Sequence, residues 1–141
     1  MIRCLDLFAR HKRLGCVSNP NPSPVKARFA AHPVSVIGIS AIVKAELLYG
    51  AHRSTRRTEN LQTLATLFRT FPSIPFDDLA AEQYGKIRAT LANQGTPIGP
   101  NDLLIAATAL AYNLIVVTHN TREFGRVQSL KVEDWLADLP R

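Results

Sequence analysis

The chain has 141 residues, 46% of them hydrophobic and 20% charged, with a formal net charge of +6. Such a length and balance fit one globular domain with a single core and exclude both a two-domain architecture and a disordered chain. The longest apolar run, Leu103 to Ala111, is interrupted by Thr108 and too short to span a bilayer, while the basic surplus suits a polyanionic partner.

No signal peptide is expected in the first residues, because Asp6 stands where an apolar core segment is needed. Cys4 and Cys16 have neither metal nor redox spacing, so a reducing cytoplasm and no membrane attachment are expected.

In chain order, residues 1 to 20 show no clean periodicity and carry the basic cluster Arg10-His11-Lys12-Arg13. The proline-rich stretch from Asn19 to Pro24 reads as a loop, because proline fixes φ and restricts its predecessor. A short helix is predicted from Ser23 and Pro24 to Ala31, then a buried strand over Val34, Val36, Ile37 and Ile39. Ser40 caps a helix over Ala41 to Tyr49, which Gly50 closes. A second helix, about Thr58 to Phe71, has Leu61, Leu64, Leu67 and Phe68 on one face. Ser73 to Phe76 is extended, and Asp77 or Asp78 opens a helix to about Asn93. After the loop Gly95 to Pro100, Asn101 leads into an apolar helix ending near Tyr112. Leu114 to Thr118 is a strand of the kind buried on both faces, and Ser129 to Val132 is a final strand.

Strands alternating with helices imply an α/β sandwich with a mainly parallel sheet flanked by helices. Ligands of such sheets sit beyond the carboxyl ends of the strands, where Ser40 and Thr118 fall.

Three acidic positions stand out. Glu46 lies in an otherwise apolar helix, in what reads as its last turn, where the helix dipole disfavours an acid; a solvated Glu paired with Lys44 or Arg53 is the plain alternative. Asp102 follows Asn101 at the start of the most apolar helix. It either caps that helix or, with Asn101 as cap, points into the cleft above the sheet. Thr118-His119-Asn120-Thr121-Arg122-Glu123 crowds hydroxyl, amide and carboxylate groups at one strand end, as an ordinary polar turn also would. His119 has no second histidine at zinc spacing. Carboxylates gathered at one edge repel unless a cation joins them, and an all-oxygen set suits Mg²⁺ or Mn²⁺.

Ile39 to Gly50, Gly95 to Ala107 and Val117 to Phe124 together resemble three of the motifs of PIN-domain proteins, specifically VapC toxins of bacterial toxin–antitoxin modules. The resemblance implies a PIN-like three-layer sandwich and a Mg²⁺-dependent (or Mn²⁺-dependent) endoribonuclease. It implies Glu46, Asp102 and Glu123 as catalytic carboxylates and Asp102, Glu46 and Asn120 as metal ligands. Asn120 stands where the family often has Asp. Thr118, Asn101 and Ser40 are supporting polar groups, and Arg53, Arg56 and Arg57 are candidates for RNA phosphate contact, with a solvated charge run as the alternative. Implied partners are a VapB-type antitoxin that neutralises the toxin, an RNA substrate of the tRNA or rRNA class, and a second copy in a homodimer.

Relatives of this kind open with a strand ending in Asp-Thr-Asn, which this chain lacks; Asp6 is its only acid before Glu46. Arg10 to Ser18, written CGA CAC AAA CGT CTG GGT TGC GTT TCT and read one base later, encodes Asp-Thr-Asn-Val-Trp-Val-Ala-Phe. Residues 1–21 are therefore expected to be a divergent, out-of-frame segment and 22–141 the PIN domain. The central strand is expected to be lost or undocked, because Arg10 to Arg13 in it would bury unpaired charge. The alternative function is a catalytically inactive remnant that only binds antitoxin or a partner toxin. A small phosphatase or nucleotide binder is disfavoured, since no Gly-rich phosphate loop follows any strand.

Overall fold

A computed structural model describes residues 3–5 and 24–137. Five short strands form one sheet: β1 (Arg3–Leu5), β2 (Ile37–Ser40), β3 (Ser73–Ile74), β4 (Ile115–Val117) and β5 (Lys131–Glu133), in the order β3-β2-β1-β4-β5. Every neighbouring pair is parallel, and β1 at the centre pairs Leu5 with Ile39 on one side and with Val117 on the other. Parallel strands need long crossovers, and among the described residues six α-helices lie between or before the later strands: α1 (Pro24–Ala30), α2 (Ala41–Arg53), α3 (Arg57–Thr70), α4 (Asp78–Asn93), α5 (Pro100–Ala111) and α6 (Thr121–Phe124).

All four residues of β2 are buried although their side chains alternate between the two faces, so helices cover the sheet on both sides. The α/β sandwich expected from the sequence is the observed architecture. The core joins Ile37, Ile39, Val116 and Val117 of the sheet to Val43, Ile105, Ala106, Ala109, Phe124 and Trp135. Helix α5 is buried almost continuously from Asp102 to Ala109, which explains its apolar composition. Phe29 of α1 meets Trp135 edge-on at a centroid distance of 5.4 Å, tying the early helix to the last segment.

Several boundaries differ from the sequence reading. Val34–Val36 form a 3₁₀ turn, and the strand starts at Ile37. Helix α2 does not stop at Gly50 but runs to Arg53, which moves Glu46 from the last turn to mid-helix and removes its conflict with the dipole. A glycine lowers helix propensity without ending a helix whose neighbours favour it. Helix α5 begins at Pro100 with Gly99 as its cap, so Asn101 is not the cap. The turn after Asn120 contains the short helix α6, and Ser129 has a positive φ of 67° just before β5. The central strand is present, formed by Arg3–Leu5; Arg10 to Ser18, with the proposed frame change, and Asp6 lie outside the described residues.

Candidate active site

The sheet order fixes where a site can form. From β1 the chain builds outward through β2 and β3, then crosses to the other side of β1 for β4 and β5. Connections therefore part company between β1 and β4, and the crevice at the carboxyl ends of the strands is where α/β sheets bind ligands. Thr118 follows β4 directly at that crevice and is buried, as is Ser40 at the end of β2.

Ser40 serves α2 locally: its Oγ accepts a hydrogen bond from the Val43 amide at 3.1 Å, the N-cap expected from the sequence. Thr118 is anchored by its amide to the Glu133 carbonyl at 2.9 Å, and its Oγ1 accepts from the Asn120 amide at 3.0 Å. That turn aims the Asn120 side chain at α5, where its Nδ2 donates to Asp102 Oδ2 at 3.1 Å. Asp102 is only 2% exposed, so it is not a solvated first-turn acid. Burying an ionised carboxylate is costly unless donors or cations meet it, and Asn120 is one such donor.

Glu123 arrives from α6 and accepts a hydrogen bond from the Gly99 amide through Oε2 at 3.2 Å. Gly99 is the meeting point of the two acids. A Cβ built on it would lie 3.5 Å from Asp102 Oδ2 and 3.5 Å from Glu123 Oε2. Glu46 joins from α2, where its Oε1 accepts from Asn101 Nδ2. The structure thus brings Glu46 to Asn101, and Asp102 to Asn120, with Asp102 and Glu123 both close to Gly99. Among the described residues, no group of three or more His, Cys, Asp or Glu side chains is close enough to hold a metal ion.

The arginines form a separate group at the corner between α2 and α3. Arg53 donates to the Tyr49 hydroxyl at 3.1 Å and lies over its ring, and Arg56 is bound to Glu59. Arg57 opens α3 and is exposed. His119 pairs with Asp134 at 3.0 Å.

Two features escaped the sequence reading. Helix α6 delivers Glu123, yet four residues are too few to show periodicity. Gly99 was visible only as part of a Gly/Pro loop, since its proximity to both acids is tertiary.

Comparison with known proteins agrees with this fold. A family model described as PIN domain matches residues 17–130. The tRNA(fMet)-specific endonuclease VapC of Shigella flexneri is 41% identical over 114 residues, covering 81% of this chain and 86% of that protein. Ribonuclease VapC2 of Rickettsia felis is 40% identical over 101 residues, covering 72% and 75%. Among solved structures, the DNA-bound VapBC complex of Salmonella typhimurium superposes with a TM-score of 0.83 at 35% identity, covering 96% of this chain and 98% of that one. VapBC2 of Rickettsia felis bound to a promoter DNA fragment gives 0.80 at 34% identity, covering 96% and 99%.

Proposed function

The chain belongs to the PIN-domain family, and we propose that it is a divalent-cation-dependent endoribonuclease toxin that a VapB-type antitoxin neutralises. The observation that carries this reading is Asp102, a buried carboxylate at the sheet's switch point, held by Asn120 and close, like Glu123, to Gly99. Relatives with about 40% identity bear ribonuclease names, and similar solved chains are crystallised as VapBC complexes. RNA of the tRNA class is the first substrate to test, given the specificity in one relative's name. The net charge of +6 favours such a polyanion, and a homodimer is the proposed assembly.

The donors are all oxygen, from Asp102, Glu46, Glu123 and the Asn120 amide, which suits Mg²⁺ or Mn²⁺ rather than a softer ion. Asp102 Oδ2 and Glu123 Oε2 each lie 3.5 Å from where a Cβ on Gly99 would sit, which brings two of these carboxylates together. When bound, the cation activates water and offsets charge on the phosphodiester. Asp102, Glu46 and Asn120 are its proposed ligands. Glu123, whose Oε2 accepts from the Gly99 amide, is the proposed acceptor of a proton from the attacking water. Asn101 orients Glu46, and Thr118 orients Asn120. Arg53, Arg56 and Arg57 are proposed to meet phosphates beyond the crevice. Incubating tRNA with the protein and Mg²⁺, beside Asp102→Ala, tests the reading: cleavage is expected from the parent and absent in the variant.

A second reading, an inactive partner-binding remnant, is favoured by the missing Asp-Thr-Asn and by the lack of a closed acidic cluster among the described residues. Asp6, next in the chain after Leu5 of the central strand, separates the two. Cleavage by the parent that Asp6→Asn abolishes favours the enzyme; a parent that binds antitoxin without cutting RNA favours the remnant.

A further inference from the structure

We propose that Tyr49 and Arg53 form an RNA-binding clamp, in which a nucleobase stacks on the Tyr49 ring and Arg53 meets a neighbouring phosphate. The inference rests on the endoribonuclease reading above and adds the path of the strand outside the crevice. Glu46, Tyr49 and Arg53 stand at positions i, i+3 and i+7 of α2, so they share one stripe of that helix. By the helical rise, Tyr49 lies about 4.5 Å and Arg53 about 10 Å along the axis from Glu46. Glu46 meets Asn101 of α5 at the crevice, and the stripe therefore leads outward from the site.

Tyr49 is 64% exposed, the most exposed large hydrophobic side chain among the described residues. Arg53 lies over its ring at 5.6 Å and donates to its hydroxyl at 3.1 Å. These contacts order the ring and the guanidinium before any ligand arrives, which lowers the cost of binding, and they leave most of the ring open to water. An open aromatic face accepts any unstacked base, and a guanidinium fork suits a phosphate. Arg56 is neutralised by Glu59, whereas Arg53 is held by a neutral hydroxyl and keeps its charge for an anion. The same pair recurs on α4 in a form used for packing. Arg88 donates to the Tyr84 hydroxyl at 2.9 Å and lies 5.7 Å over its ring. Tyr84, however, is half-buried and meets Phe76 edge-on at 6.2 Å, while the Tyr49 ring is left to solvent.

A single-stranded oligoribonucleotide carrying 2-aminopurine, titrated with the full chain in EDTA, reports binding and stacking together, because stacking quenches this base. Tyr49→Ala and Tyr49→Leu are expected to bind about tenfold more weakly and to lose the quenching, with melting close to the parent's. Tyr49→Phe keeps the ring and should retain both. Arg53→Gln should weaken binding and lower its salt slope, and Arg88→Gln should change both far less. Leucine carries the test if the alanine variant does not fold. Parental binding and quenching in the folded Tyr49 variants overturn the clamp and leave this face to a protein partner. Equal losses in Tyr49→Phe and Tyr49→Ala overturn it too, since the ring is then irrelevant, as do equal losses in Arg53→Gln and Arg88→Gln, which reduce the effect to general charge. Cleavage of tRNA in Mg²⁺, followed beside the titration, separates the two readings. A parent that binds and quenches without cutting keeps the clamp and fails the nuclease. A parent that cuts, with Tyr49→Ala and Tyr49→Leu binding equally well, keeps the nuclease and removes only the clamp. A parent that neither binds the oligonucleotide nor cuts tRNA fails both.

Discussion

At the residue scale, Asn120 is the most informative position, because it donates to a carboxylate that is almost wholly out of water. Asn120→Asp replaces that donor with a second acid against Asp102. Without a cation the two repel, and the variant is expected to lose about 1–3 kcal/mol of stability in EDTA. Added Mg²⁺ should recover most of the loss, since a ligand that binds only the folded state raises its stability. Melting curves with and without Mg²⁺ check this; a variant that EDTA does not destabilise contradicts the placement of Asn120. Glu123→Gln keeps an acceptor for the Gly99 amide and removes a charge, so RNA cleavage should fall about 10–100-fold while melting barely changes.

At the scale of elements, two contacts between distant segments fix the frame around the site. The Asp77 side chain caps α4 through the Ala80 amide at 3.1 Å and accepts from the hydroxyl of Tyr112, just past α5. The Tyr112 hydrogen bond, with smaller help from the Ala80 amide, holds the Asp77 carboxyl below its ordinary 3.8. The same bond raises the Tyr112 phenol above 10.0. A depressed carboxyl stabilises the fold above its unfolded value and loses that contribution as pH falls through the folded one. A raised phenol contributes below its unfolded value and loses the effect as pH rises through the folded one. Tyr112→Phe should therefore flatten the melting-temperature profile below about pH 4 and above about pH 10 while changing it in parallel between them. The second contact is at Gly38, where a Cβ would come within 2.6 Å of Ile74 Cδ1. Gly38→Ala is expected to cost about 1–3 kcal/mol in urea unfolding, with partial recovery in a double variant carrying Ile74→Val.

The legibility of these elements followed their physics. Helix α5 and strand β4 were plain in the sequence because long apolar runs between breakers admit few alternatives. Ser40 was readable as a cap because its partner lies three residues on. The end of α2 was misjudged at Gly50, because a glycine weakens a helix without ending it and the buried Ala51 lies beyond it in the same helix. Asp102 and Glu46 were legible as acids in apolar surroundings, but the link of each to an asparagine, Asn120 for one and Asn101 for the other, was not. Such pairings span 18 and 55 positions, and nothing local encodes them.

At the scale of the molecule, the central strand is the part that sequence reasoning placed least well. An expected strand carrying Arg10 to Arg13 would have put cations in the middle of the sheet. Arg3–Leu5 occupies that place instead, in parallel register with β2 and β4. The family match itself begins only at residue 17. No helix among the described residues is long and apolar enough to cross a membrane. With a net charge of +6, binding of tRNA should weaken steeply as salt rises, and neutralising Arg53, Arg56 and Arg57 together should reduce that salt slope. A slope unchanged in the triple variant removes those arginines from the RNA path. The account as a whole is tested most directly by tRNA cleavage with Mg²⁺, with EDTA, and with Asp102→Asn, whose side chain preserves shape but not charge. Cleavage confined to the parent with Mg²⁺ is the result it predicts; equal cleavage by Asp102→Asn, or cleavage that EDTA leaves untouched, would contradict it.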